Sequence, residues 1–145
     1  MTGQYACPPA WTALTAAHAR IAGALAAELV RSCGLGINEF EILLRLDHRR
    51  PDAGLRQGDL ICAVPLSQPS LSRAVARLER RGWLTRSGAV DDRRGILVTI
   101  TDDGRAVVRR AAPVHARTIR ELLLDRLTPA EQDLLACALS RITES

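Results

Sequence analysis

Residues 67–86 read SQPSLSRAVARLERRGWLTR, and this stretch decides the fold. Ser67 is a natural N-cap, because its hydroxyl can accept a hydrogen bond from an otherwise unpaired amide of a first helical turn. Pro69 falls inside that turn, where a missing N–H costs little. Leu71, Val75 and Leu78 recur at four- and three-residue steps, which makes one apolar stripe. Gly82 stands where a helix ends, in the position that favours glycine. The pattern predicts a helix over 67–81, followed by a short strand over 83–86.

Upstream, residues 56–64 predict a second short helix, separated from the first by Pro65 and Leu66 alone. So narrow a gap forces the two helices to turn sharply against each other. Leu60, Ala63, Leu66, Leu71, Val75 and Leu78 can then share one small core, which is the helix-turn-helix pattern. Downstream, the polar stretch SGAVDDRRG (87–95) is a turn bounded by glycines. The β-branched run ILVTIT (96–101) after it is strand-like. Two strands joined by a basic loop behind a helix-turn-helix form a wing.

Further out, helices flank this module. Residues 10–32 are rich in alanine, and Leu14, His18, Ile21, Leu25 and Leu29 line one helical stripe. Cys33-Gly34-Leu35-Gly36 stops it, and a helix over 37–47 buries Phe40, Leu43, Leu44 and Leu46. HRRPDAG (48–54) is a polar loop with Pro51 and Gly54 as breakers. Asp102 opens a long helix to about Leu124, with a kink expected at Pro113. Thr128-Pro129-Ala130-Glu131 is a capping box that starts a last helix, to Ile142. The fold class is mainly α with a small β-wing. Three regions follow: an N-terminal helical region over 1–36, a winged helix-turn-helix over 37–101, and C-terminal helices over 102–145.

Composition agrees with one domain. The chain has 145 residues, 47% apolar and 25% charged, enough to bury a core. No unbroken apolar run approaches the length of a membrane span and no secretory signal is visible, so a cytoplasmic protein is expected, without a membrane partner. All 20 basic residues are arginine, and the net charge is +4. Residues 1–48 carry 3 Arg against 4 acids, residues 49–95 carry 10 against 5, and residues 96–145 carry 7 against 7. The excess therefore sits in the middle third, which suits a polyanion partner. A genome that writes Arg for Lys explains the missing lysine but not the clustering. Cys7, Cys33, Cys62 and Cys137 match neither a zinc ribbon nor a disulfide framework. They are expected to be reduced and mostly to fill core positions as small apolar residues. Neither a metal nor a cofactor is expected. No P-loop, G-x-G-x-x-G, HExxH or G-x-S-x-G motif occurs, so an enzyme is not expected.

The candidate chemistry is the reading of duplex DNA. A helix fits the major groove, and its first turns meet the base edges. Here those turns offer Ser67, Gln68, Ser70, Ser72 and Arg73. Gln pairs with adenine and Arg with guanine, whereas Ser serves either base or a phosphate. Arg77, Arg80 and Arg81, further along, and Arg86 on the strand suit phosphates. At the wing tip Arg93 and Arg94 can enter the minor groove, with Asp92 holding a guanidinium in place.

GLGINEFEILLRL (34–46), DLICAVPLSQPSLSRAVARLERRGWLTR (59–86) and DDRRGILVTITDDG (91–104), in this order and spacing, resemble the MarR (multiple antibiotic resistance regulator) family of winged-helix repressors. Asp92, Arg94, Ile100, Thr101 and Gly104 fill the family's wing signature. The resemblance implies a homodimer built from the flanking helices, a pseudo-palindromic operator, repression, and release by a small aromatic or phenolic effector. The three flanking helices hold more apolar surface than a small winged domain can cover, which independently points to a second chain. His18, with Trp11 and Arg20 on the same helix, is the candidate effector contact, although a His there can equally be a core residue satisfied by a neighbour. Two alternatives stay open. One is a redox-responsive regulator using Cys7, although QYACPPAW does not match the family's sensor segment. The other is a winged domain used for protein contact.

Overall fold

The computed structural model describes residues 8–48, 54–88 and 95–144. Six helices and a small sheet follow one another as α1 (Pro9–Cys33), α2 (Ile37–Asp47), β1 (Leu55–Arg56), α3 (Gln57–Ala63), α4 (Gln68–Arg80), β2 (Leu84–Ser87), β3 (Leu97–Ile100), α5 (Asp102–Leu122) and α6 (Pro129–Thr143). A short 3-10 turn, Leu124–Arg126, joins the last two helices. The fold is mainly helical with a small antiparallel wing, as the hydrophobic periodicity predicts.

The chain divides into two compact units. One comprises residues 29–114 and the other residues up to 28 together with 115 onward. The division falls inside α1 and α5 rather than at the loops where the sequence reading sets its boundaries. The reason is visible in the core. Leu29 near the end of α1, and Val107, Val108 and Ala111 of α5, are buried in the same cluster as Phe40, Leu60, Leu71, Leu78 and Val98. Both long helices thus lend a segment to the winged unit.

Within the winged unit the helix-turn-helix is α3 and α4, and it forms for the reasons the sequence gives. Leu60, Leu71, Ala74, Val75 and Leu78 are buried. Ser67 caps α4, and its Oγ accepts from the amide of Ser70 at 3.4 Å. Gly82 follows α4 with φ of +74°, a left-handed conformation that an L side chain adopts only at a cost. The wing holds three strands rather than two, in the order β1-β3-β2, all antiparallel. Leu55 pairs with Val98, and Leu84 pairs with Ile100. The two-residue β1 escapes a reading based on alternation, since two residues carry no period.

Where β2, β3 and α5 meet, the packing is close. The Thr101 amide donates to the Trp83 carbonyl at 3.1 Å, and Thr101 Oγ1 donates to the Gly82 carbonyl at 2.7 Å. The same hydroxyl accepts from the Gly104 amide at 3.1 Å. A Cβ on Gly104 would stand 2.0 Å from the Trp83 carbonyl oxygen, so only glycine fits here. Arg105 Nη1 then reaches Asp47 Oδ1 at 2.8 Å, which ties α5 to the end of α2.

In the other unit, Arg117 Nη2 of α5 donates to Glu28 Oε1 of α1 at 3.3 Å. The Thr128–Glu131 capping box forms: the Thr128 amide donates to Glu131 Oε2 at 2.8 Å, and the Glu131 amide donates to Thr128 Oγ1 at 3.3 Å. No described residue of α6 is buried within the chain. Leu134 and Ile142 are each 70% exposed, and Trp11 of α1 is 57% exposed. α5 continues through Pro113.

Two expectations need correction. Among the described cysteines none is fully buried: Cys33 is half-buried against the core, whereas Cys62 and Cys137 are exposed. Cys62 lies on the outward side of the short α3, and Cys137 lies on α6. Second, α1 is by length and composition apolar enough to cross a membrane. The search for an unbroken run misses this because nine alanines raise the average while polar residues interrupt the run.

Candidate nucleic-acid interface

The candidate surface is the outer side of α4. Its inner side, Leu71, Ala74, Val75 and Leu78, is buried, so the opposite residues must face away from the core. Ser67, Gln68, Ser72 and Arg73 are exposed, and Ser70 is half-buried. The first turn is locally ordered: Ser67 Oγ donates to Ser70 Oγ at 3.0 Å, and Arg73 Nη2 donates to the same oxygen at 3.3 Å. The helix therefore brings together the polar residues singled out from the sequence, at the end where base edges would be met.

The arginines of this region divide by their partners. Arg73, Arg77 and Arg80 recur at helical steps and form one stripe along α4. Arg77 Nε donates to Glu39 Oε1 of α2 at 2.8 Å. Arg81 Nη1 donates to the Gly34 carbonyl at 2.8 Å, and its guanidinium lies 3.7 Å from the centre of the Trp83 ring. Arg86 Nε of β2 donates to Glu79 Oε2 at 2.9 Å. Glu39, Glu79 and Trp83 thus have roles that charge counting did not find. Glu39 carried one signal, a Glu three residues after a helix start, which is half of a capping box.

The Glu79–Arg86 pair also sets charge. The hydrogen bond from Arg86 holds the Glu79 carboxyl below its ordinary range, and the same bond raises the Arg86 guanidinium. Both stay ionised at neutral pH. The pair is partly exposed, so its main effect is geometric, tying β2 to the C-terminal end of α4.

Asp92, Arg93 and Arg94 of the wing tip lie outside the described residues, as does Cys7. Trp11, His18 and Arg20 are all exposed on α1. Trp11 and His18 are seven residues apart and share a side of the helix. Arg20, two residues beyond His18, stands roughly 200° round it. The helix therefore does not gather the three into one cluster, and His18 is not a core residue of this chain. Among the described residues no group of His, Cys, Asp or Glu could hold a metal ion.

A capped helix-turn-helix with a three-stranded wing defines the winged helix-turn-helix class of protein. The MarR family profile matches residues 35–96, which run from just before α2 to the residue before β3. Over nearly the whole chain, the structure is similar to Sco3205 of Streptomyces coelicolor, a MarR family transcriptional regulator solved in complex with DNA. The identity is 32%, the TM-score is 0.84, and the match covers 93% of this chain and 84% of that one. This chain belongs to the MarR family of DNA-binding transcriptional regulators, which is not a family of enzymes. It is also similar to BpsR of Bordetella bronchiseptica, whose DNA binding is regulated by 6-hydroxynicotinic acid. Here the identity is 25%, the TM-score is 0.83, and the match covers 99% of each chain. The transcriptional repressor MprA of Escherichia coli strain K12 is 29% identical over 102 residues, 69% of this chain and 57% of that protein. The chain thus spans little more than half the length of curated relatives that it matches.

Proposed function

We propose that this protein is a cytoplasmic repressor that binds a pseudo-palindromic operator as a homodimer, with α4 in the major groove and the wing beside it. The observation that carries the reading is the division of α4 into a fully buried apolar side and an exposed side of Ser67, Gln68, Ser72 and Arg73. Gln68 and Arg73 would read bases, with Ser67, Ser70 and Ser72 serving bases or phosphates. Arg80 would meet a phosphate, Arg86 would brace β2 against α4 through Glu79, and Asp92, Arg93 and Arg94 would form the minor-groove tip. Repression follows from occupancy, since a dimer seated on an operator excludes other proteins from it. The repressor MprA supports that direction by similarity.

A second copy is supported by the uncovered apolar residues. Trp11, Leu14, Leu134, Leu135 and Ile142 are exposed, and an open hollow of about 430 Å³ is lined by Leu123, Leu127, Leu135 and Leu139 among others. α1 carries Arg20, Glu28 and Arg31, and the Glu28–Arg117 pair fits a helix packed against protein rather than lipid. An effector would be a small aromatic acid meeting Trp11 and His18, with Arg20 as a further candidate. The regulation of BpsR by 6-hydroxynicotinic acid supports that ligand class.

Selection of bound duplexes from a random-sequence pool, followed by salt titration, tests the reading. A palindromic consensus is expected, with log affinity falling linearly in log salt at about 0.9 per phosphate neutralised. Binding that is flat in salt, or enrichment of no sequence, overturns it.

A further inference from the structure

Glu39 is one of two buried polar or charged residues of the described chain, at 8% exposure. A carboxylate taken out of water needs compensation, and here it comes from three directions. Oε2 accepts from the Gly36 amide at 3.1 Å, which caps α2. Oε1 accepts from Arg77 Nε at 2.8 Å. Arg81 Nη1 stands 3.9 Å from Oε2 while it donates to the Gly34 carbonyl at 2.8 Å. One carboxylate therefore joins the turn before α2, the first turn of α2 and the second half of α4.

We propose that Glu39 is a positioning residue for DNA recognition: through Arg77 its carboxylate fixes the rotation of α4, and Arg77 serves this clamp rather than a phosphate. The apolar back of α4 sets how deeply the helix lies. Contacts among Leu, Val and Ala side chains, however, tolerate sliding and rotation far better than a directional charge-assisted bond does. Rotation of α4 moves Gln68, Ser72 and Arg73 together, because they stand on the same rigid rod. Bidentate base contacts lose their discrimination when donors leave the base plane. Moving Arg77 to a phosphate would leave Glu39 buried without its principal partner, an expensive exchange. From sequence alone Arg77 suits a phosphate, because a carboxylate 38 residues away is not visible there.

The inference rests on the proposed DNA-binding reading, and the experiment separates the two. The full chain is titrated with a duplex recovered by selection and with a scrambled duplex of equal length, across a salt series, below the melting onset of every variant. Arg80→Ala is expected to lower the salt slope by about 0.9, as for one lost phosphate contact. Arg77→Ala is expected to leave the slope unchanged but to lower the preference for the selected duplex about tenfold, the scale of one charge-assisted bond. Glu39→Gln keeps an acceptor for the Gly36 amide, so α2 stays capped. It is expected to lose the same preference, and the double variant no more than either single one, because both break one clamp. Arg77→Lys, which keeps a charged donor on a more flexible stem, should recover part of the preference that Arg77→Ala loses. A slope that falls in Arg77→Ala as it does in Arg80→Ala overturns the proposal. So does a Glu39→Gln chain that melts earlier yet keeps its preference, since that is a purely structural role. A native chain with no preference between the duplexes instead sinks the DNA-binding reading, and the clamp with it.

Discussion

Gly104→Ala should cost the winged unit more than an alanine in a helix normally contributes. The added Cβ would stand 2.0 Å from the Trp83 carbonyl oxygen, 3.0 Å from the Trp83 carbonyl carbon and 2.8 Å from Ile100 Cγ1. A carbon and an oxygen settle at about 3.3 Å or more, so backbone must move by more than about 1 Å. The obstructing carbonyl is not free to yield, because it accepts from the Thr101 amide while Thr101 Oγ1 holds Gly82 and Gly104. Overpacking of this kind costs about 1–3 kcal/mol, and one distorted backbone bond adds about 1 kcal/mol. Better helix propensity returns about 1 kcal/mol. The net is a loss of roughly 1–3 kcal/mol, a drop of roughly 5–20 °C in Tm for a unit of this size. Gly23→Ala supplies the internal control. Nothing lies within 4 Å of its added Cβ, and the site is exposed within α1, so the same substitution should stabilise by up to about 1 kcal/mol. Thermal melting followed by circular dichroism, at one fixed protein concentration, compares the three chains. If Gly104→Ala melts at or above the native temperature, the described junction of β2, β3 and α5 is wrong.

Two further expectations concern the helical unit. Leu134→Glu with Ile142→Glu should convert a dimer to a folded monomer of half the mass by light scattering; a native chain that stays monomeric at every concentration refutes the second copy. The Thr128 amide and hydroxyl bond the Glu131 carboxylate and hold it below its ordinary value of 4.5. A lowered carboxyl stabilises the folded state above its unfolded value, and the gain is lost as pH falls through the folded value. Glu131→Gln should therefore flatten the decline of Tm on acidification below about pH 4.5, and an unchanged decline counts against the cap.

The elements legible in the sequence were those with both a period and a punctuation mark. α4 had Ser67 before it, Gly82 after it and Leu71, Val75 and Leu78 between, and it lies over Gln68–Arg80. α6 had Thr128, Pro129 and Glu131 and begins at Pro129. β1 had neither and went unseen, although its pairing with β3 makes the third strand of the wing. The stripe on α1 was read correctly as a period but not as a burial. Leu25 and Leu29 are buried, while Leu14 and His18 of the same stripe are exposed. Periodicity reports that a side is apolar and not which body covers it.

The same distinction governs the candidate site. The excess of arginine over residues 49–95 pointed to a polyanion, and on charge alone Arg73, Arg77, Arg81 and Arg86 are interchangeable. Partners distinguish them. Arg77 belongs to Glu39, Arg86 to Glu79, and Arg81 to the Gly34 carbonyl and the Trp83 ring. Among the described residues Arg73 bonds a serine hydroxyl of its own helix, which a base or phosphate can displace at little cost. A guanidinium already bonded to a carboxylate must give up that pair before it can gain a phosphate, so its net contribution to DNA affinity is small even where Coulomb attraction is large. Among its described residues the basic block therefore holds two populations: arginines whose bonds join α4 to another element, and arginines that α4 presents. Sequence counts them together, because what separates them is contact with residues that lie far away along the chain.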